Sequence, residues 1–140
     1  MIWKNPIDLN ALNHWHQNTM QQYIGIEFID YGDDYLTARM PVDERTKQPK
    51  GLLHGGANVV LAESLGSVAS VLCLDREKNL VVGLEINANH LRAVRDGFVT
   101  GITRPIHIGR STHVWEIKIY DEQNRLSCIS RITNAILEKK

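Results

Sequence analysis

The sequence predicts an α+β fold, with one long helix beside a largely antiparallel sheet of about six strands. Three observations predict it. An apolar and small-residue run from Ala57 to Leu74 is long enough for about five helical turns. Two short apolar segments precede this run and four longer ones follow it, with turn-forming residues between them. The segment Thr112–Tyr120 alternates, with Trp115, Ile117 and Ile119 on one face and Glu116 and Lys118 on the other.

Taken in order, Asp8 can cap a first helix through Leu9, Leu12 and Trp15, extending toward Met20. Tyr23–Phe28 and Leu36–Val42 read as strands on either side of the turn cluster Gly32-Asp33-Asp34. A polar loop, DERTKQPKG, leads to the long helix. There Ala62, Gly66, Ala69 and Cys73 recur at steps of three and four, making a narrow stripe of small side chains. Glycine costs up to ~1 kcal/mol inside a helix, so Gly66 implies that the helix lies close against the sheet. The later strands are Leu80–Leu91, Gly97–Ile106, Thr112–Tyr120 and Leu126–Leu137. Arg95-Asp96-Gly97, His107-Ile108-Gly109-Arg110 and Asp121-Glu122-Gln123-Asn124 break them.

The chain of 140 residues reads as one domain, 1–140, with 43% hydrophobic and 23% charged residues. Sixteen basic and sixteen acidic side chains cancel, leaving no global field for nucleic acid or anionic lipid. Cys73 and Cys128 lack metal-ligand spacing and read as reduced core thiols, which fits a cytoplasmic protein. MIWKNPIDLN has no signal-peptide core, and no uninterrupted apolar run approaches the ~20 residues of a membrane span. His14 and His16 are two apart and share no helical face. His107 and His113 flank a turn, yet no carboxylate or thiol completes a metal set with them, so no metal is expected. Trp3, Trp15 and Trp115 read as core or interface residues rather than as a stacking platform.

The chemistry concentrates in GLLHGGANVVLAESLG, residues 51–66. His54-Gly55-Gly56 stands just before the helix, whose first N–H groups lack intrahelical acceptors and whose start is partly positive. Aimed at a carbonyl oxygen, such N–H groups stabilise the charge that develops when the carbonyl is attacked. Glu63 is a carboxylate in an apolar run, a candidate nucleophile or general base; an exposed site with its charge in water is the alternative. Ser67, four residues on, shares its face. Gly55 and Glu63 are eight residues apart, or ~12 Å along a helix, so one carbonyl cannot meet both from one chain. If both serve one reaction, two chains share each site.

These residues resemble a known family. KQPKGLLHGGANVVLAESLGSVAS followed by VVGLEINANHLR, with VWEIKIYDE, is similar to the hotdog-fold acyl-CoA thioesterases. The narrower likeness is to the group of 1,4-dihydroxy-2-naphthoyl-CoA hydrolases of menaquinone synthesis and glutamate-using 4-hydroxybenzoyl-CoA thioesterases. The resemblance implies a strongly curved sheet wrapped around a central helix. It also implies homodimers joined edge to edge, as a dimer of dimers. Implied catalytic positions are Glu63, Gly55, His54, Gln48 and Ser67. Implied coenzyme A contacts are Gly83, His90, Leu91, Arg92, Ala93 and the turn Ile108, Gly109, Arg110, Ser111. Coenzyme A belongs to the substrate, and no separate cofactor is implied. Lys50 departs from the aromatic residue of the nearest members of that group. Independently, Arg92, Arg95 and Arg110 are expected to cluster as a phosphate site.

The expected activity is hydrolysis of an aromatic acyl-CoA thioester. A non-catalytic acyl-CoA-binding domain is the alternative from another class. A hydratase on the same fold is disfavoured, since its Asn-Pro-x-His stretch is missing. GxSxG, P-loop and GxGxxG motifs are absent as well.

Overall fold

The computed structural model describes all 140 residues. Two short helices, α1 (Leu9–Trp15) and α2 (Met20–Tyr23), lead into strands β1 (Glu27–Tyr31) and β2 (Leu36–Pro41). The long helix α3 (Gly55–Leu72) follows, then β3 (Asn79–His90), β4 (Phe98–Ile108), β5 (Thr112–Tyr120) and β6 (Leu126–Glu138). One six-stranded sheet runs in the order β1-β2-β4-β5-β6-β3, antiparallel throughout. Four of its five ladders carry a register shift, the irregularity that bends strands and tightens twist. The sheet packs on α3 through β2, β3, β4, β5 and β6, which is the expected hotdog arrangement.

The small-residue stripe explains the close packing. Ala62 and Ala69 are fully buried, and a Cβ built on Gly66 would overlap Ile132 Cγ2 and lie 3.7 Å from Trp115 Cβ. The alternation in β5 also holds: Trp115, Ile117 and Ile119 are wholly buried. Trp3 covers Trp115 with parallel rings 6.3 Å apart, so two of the three tryptophans belong to the core. By length and composition α3 matches a membrane span, but it is the buried core helix of this sheet.

Two element boundaries need correcting. The first strand is not Tyr23–Phe28 but β1, because Thr19 opens the short helix α2 and Gly25 turns the chain at φ +84°. The first helix stops at Trp15 and does not reach Met20. Asn18 sits at φ 62°, and Thr19 Oγ1 donates to the His16 carbonyl oxygen. The α1 cap is as expected, with Asp8 accepting from Ala11 N–H at 3.2 Å. Asn13 then fixes α1 on β1 by donating to Phe28 O at 2.9 Å and accepting from Phe28 N at 2.8 Å.

Candidate active site

The start of α3 leaves one backbone donor unused. Gly56 N–H donates to His54 Nδ1 at 2.8 Å, while the Ala57 and Asn58 N–H groups both donate to His54 O. Gly55 N–H finds no acceptor. His54 therefore caps the helix, and in its neutral form carries its proton on Nε2. The bare backbone at Gly55 lets the exposed His90 ring come close, because a Cβ there would stand 2.8 Å from His90 Nε2. A cavity of about 350 Å³ opens beside this point, lined by Gln48, Gly55, Asn58, His90, Arg92 and Ala93 among others. Leu91 lines it too. Gln48 is held at its rim by a turn in which its own Oε1 accepts the Lys50 N–H.

Glu63 lies elsewhere. It is exposed on the outward face of α3, with half-buried Val60, Ser67 and Val71 on the same side. Its Oε2 reaches to the edge strand, where a Cβ on Gly83 would stand 2.9 Å from it. Gly83 sits at a register shift in β3, so backbone and carboxylate meet where no side chain intervenes. Around Glu63 and Ser67 is a second cavity of about 590 Å³, within the ordinary range for small-molecule sites. Its outer wall is Trp15, His16, Thr19 and Met20 from the N-terminal helical segment. Sequence reading missed these four as site residues, because nothing local fixes how α1 and α2 dock against α3.

One chain thus gathers Gln48, Gly55 and His90–Ala93 at one cavity, and Glu63 and Ser67 at another, with Gly83 against Glu63. The turn Ile108–Ser111 joins neither cavity wall. The expected arginine cluster is not formed within one chain. Arg92 and Arg95 precede β4 and Arg110 follows it, so a strand of eleven residues, about 36 Å at 3.3 Å each, separates them. His107 and His113 do approach each other, on adjoining strands.

Residues 50–128 match the family model described as Thioesterase superfamily. Over 137 residues the chain is 58% identical to the 1,4-dihydroxy-2-naphthoyl-CoA hydrolase of Escherichia coli strain K12, covering 98% of this chain and 100% of that one. It is 52% identical over 137 residues to a protein named proofreading thioesterase EntH from Cronobacter turicensis, covering 98% and 99%. Among solved structures, a mutant thioesterase of Pseudomonas aeruginosa superposes with a TM-score of 0.98 at 51% identity, covering 99% and 100% of the two chains. A thioesterase of Haemophilus influenzae gives 0.96 at 49% identity, covering 99% and 96%.

Proposed function

The chain belongs to the thioesterase superfamily and is a thioester hydrolase, and from that premise we propose that it hydrolyses an aromatic acyl-CoA in a site shared by two copies. The acyl group is 1,4-dihydroxy-2-naphthoyl or a close analogue. The identity to the Escherichia coli hydrolase and the apolar cavity beside Glu63 support that choice.

One observation carries the shared site. Gly55 and Glu63 stand on one rigid helix about 12 Å apart, so the polarising N–H and the carboxylate cannot reach the same carbonyl. The edge strand β3 supplies the remedy. It has a neighbour, β6, on one side only, and Leu80, Val82 and Leu84 are exposed along it. An unpaired apolar edge of this kind is a pairing surface. A two-fold axis near the middle of β3 sets the Gly83 half of one strand beside the His90 half of its mate. Glu63 of one copy then faces Gly55 of the other. The same axis carries the Ile108–Ser111 turn toward the mate's His90–Ala93, because Thr112 and Val82 both pair with Ala135 at that end of the sheet. The phosphates of coenzyme A then meet arginines from two chains.

Hydrolysis proceeds by polarising the thioester carbonyl on the Gly55 N–H, with Gln48 positioning it. Glu63 either attacks the carbonyl carbon or takes a proton from the attacking water, and Ser67 holds the water or the carboxylate. Collapse of the tetrahedral intermediate breaks the C–S bond, and the thiolate leaves and takes up a proton; where Glu63 is the nucleophile this leaves a mixed anhydride, which water then cleaves to the free acid and the regenerated carboxylate. The protein acts in the cytoplasm as a dimer or a dimer of dimers. Thiol release from 1,4-dihydroxy-2-naphthoyl-CoA, benzoyl-CoA and aliphatic acyl-CoAs tests the substrate. Glu63→Gln is expected to remove most turnover while the fold persists, and near-normal turnover would overturn the assignment. A single turnover in ¹⁸O-water tests the nucleophilic role: an unlabelled first product, with the label on Glu63, follows only when Glu63 has attacked and water has opened the anhydride at the Glu63 carbonyl.

A further inference from the structure

The cavity beside Glu63 contains two side chains that the reaction just described does not use, Trp15 and His16. Trp15 is 52% exposed, and Arg76 lies over its ring at 5.1 Å from the centroid. Arg76 forms no ion pair, so its guanidinium is committed to that indole face. A large aromatic ring left half in solvent at the wall of a substrate cavity is an open stacking surface.

His16 differs in character. It is only 7% exposed, and its ring meets Trp15 edge-on at 5.1 Å between centroids. Its Nδ1 lies 2.8 Å from the Leu12 carbonyl oxygen. A carbonyl oxygen only accepts, so Nδ1 carries the hydrogen and the neutral ring keeps a lone pair on Nε2. No protein group bonds to that Nε2. His16 lines the cavity beside Glu63 and a second, more polar one, and an acceptor there without a protein donor suits an O–H from a ligand. From α3 the same cavity is lined by Val60, Val68 and Val71, together with Glu63, Ser64 and Ser67.

We propose that Trp15 and His16 form the acyl-recognition site and select a hydroxylated aromatic acyl group. The ring lies between the indole and the valines of α3, and a ring hydroxyl donates to His16 Nε2. This rests on the thioesterase reading above and adds what the pocket distinguishes: planar from flexible acyl chains, and hydroxylated from bare rings.

The test compares kcat/KM for hexanoyl-CoA, benzoyl-CoA and the three monohydroxybenzoyl-CoAs. In the natural protein the best hydroxybenzoyl ester is expected to exceed benzoyl-CoA about fivefold, the worth of one hydrogen bond. In Trp15→Leu the benzoyl-to-hexanoyl ratio is expected to fall about tenfold, the worth of an aromatic contact. In His16→Asn the hydroxybenzoyl-to-benzoyl ratio is expected to drop to about one. Trp15 is on the surface, so its variant keeps the test valid even if the His16 variant fails to fold. Ratios in Trp15→Leu that stay within about twofold of the natural protein would overturn the proposal, as would a natural preference for hexanoyl-CoA. Either result leaves the hydrolase reading standing. That reading falls only if Glu63→Gln keeps full turnover.

Discussion

Glu63 and Gly83 are packed so that a single added methyl group would separate them. A Cβ on Gly83 would stand 2.9 Å from Glu63 Oε2, too near for the carboxylate to keep its place. Gly83 lies on the exposed edge strand, so Gly83→Ala acts on the position of Glu63 more than on the core. Displacing a reacting group by about 1 Å costs on the order of a hundredfold. Gly83→Ala is expected to lower kcat by ten- to a hundredfold, with thermal stability nearly unchanged. Steady-state kinetics alongside a melting curve checks both.

Gly66→Ala is expected to do the reverse. Its methyl group would overlap Ile132 Cγ2 between helix and sheet, where both partners are fixed by the core. Overpacking of this kind costs about 1–3 kcal/mol, offset only in part by the better helix propensity of alanine. Urea denaturation measures the loss. A variant as stable as the natural protein would show that α3 has room to move off the sheet.

His113 makes stability depend on pH. Ser70 Oγ accepts from Trp115 Nε1 at 2.7 Å and from Asn134 Nδ2 at 2.9 Å, which fills both of its lone pairs. Its own hydrogen therefore goes to His113 Nδ1, 2.9 Å away, and the imidazole must be neutral there. Burial holds His113 below the usual histidine range; the facing Gly109 carbonyl opposes this, and the charge of His107 adds to it. The unfolded chain then binds the proton more readily than the folded one. Stability from this group is full above the ordinary histidine value of about 6.5 and is lost as pH falls below it. Denaturation midpoints between pH 8 and pH 5 are expected to fall more steeply in the natural protein than in His113→Gln. Parallel curves would contradict the hydrogen-bond assignment.

Both thiols are expected to be inert in the folded protein. Burial pushes Cys73 and Cys128 up to about 11 each, so at pH 8 only about a thousandth of either is thiolate. Iodoacetamide labelling followed by mass spectrometry is expected to show no modification until denaturant is added. Rapid labelling of native protein would place one of them in a more open setting.

Much of this was legible in the sequence, and the exceptions have physical reasons. The long helix, the four later strands and the partition of β5 follow from short-range periodicity, which local residues control. The N-terminal boundaries slipped because Asn18 and Gly25 take positive φ, and no hydrophobic pattern records that. Gly55, Glu63 and their separation along one helix needed only the sequence. Trp15 and His16 were beyond it, since their role depends on how α1 docks on β1 through Asn13. The arginines stay apart within one chain for a related reason. Spacing shows that Arg92, Arg95 and Arg110 lie at strand ends, but not that those are opposite ends of β4.

Complementation between inactive copies tests the shared site most directly. Gln48→Ala and Glu63→Ala proteins, each inactive alone, are unfolded and refolded together, and the mixed dimers are verified by mass spectrometry. A two-fold dimer with shared sites gives each mixed dimer one site built from intact residues, so random pairing restores about a quarter of natural activity. Verified mixed dimers with no recovered thiol release would place both groups at one chain's own site and contradict the account.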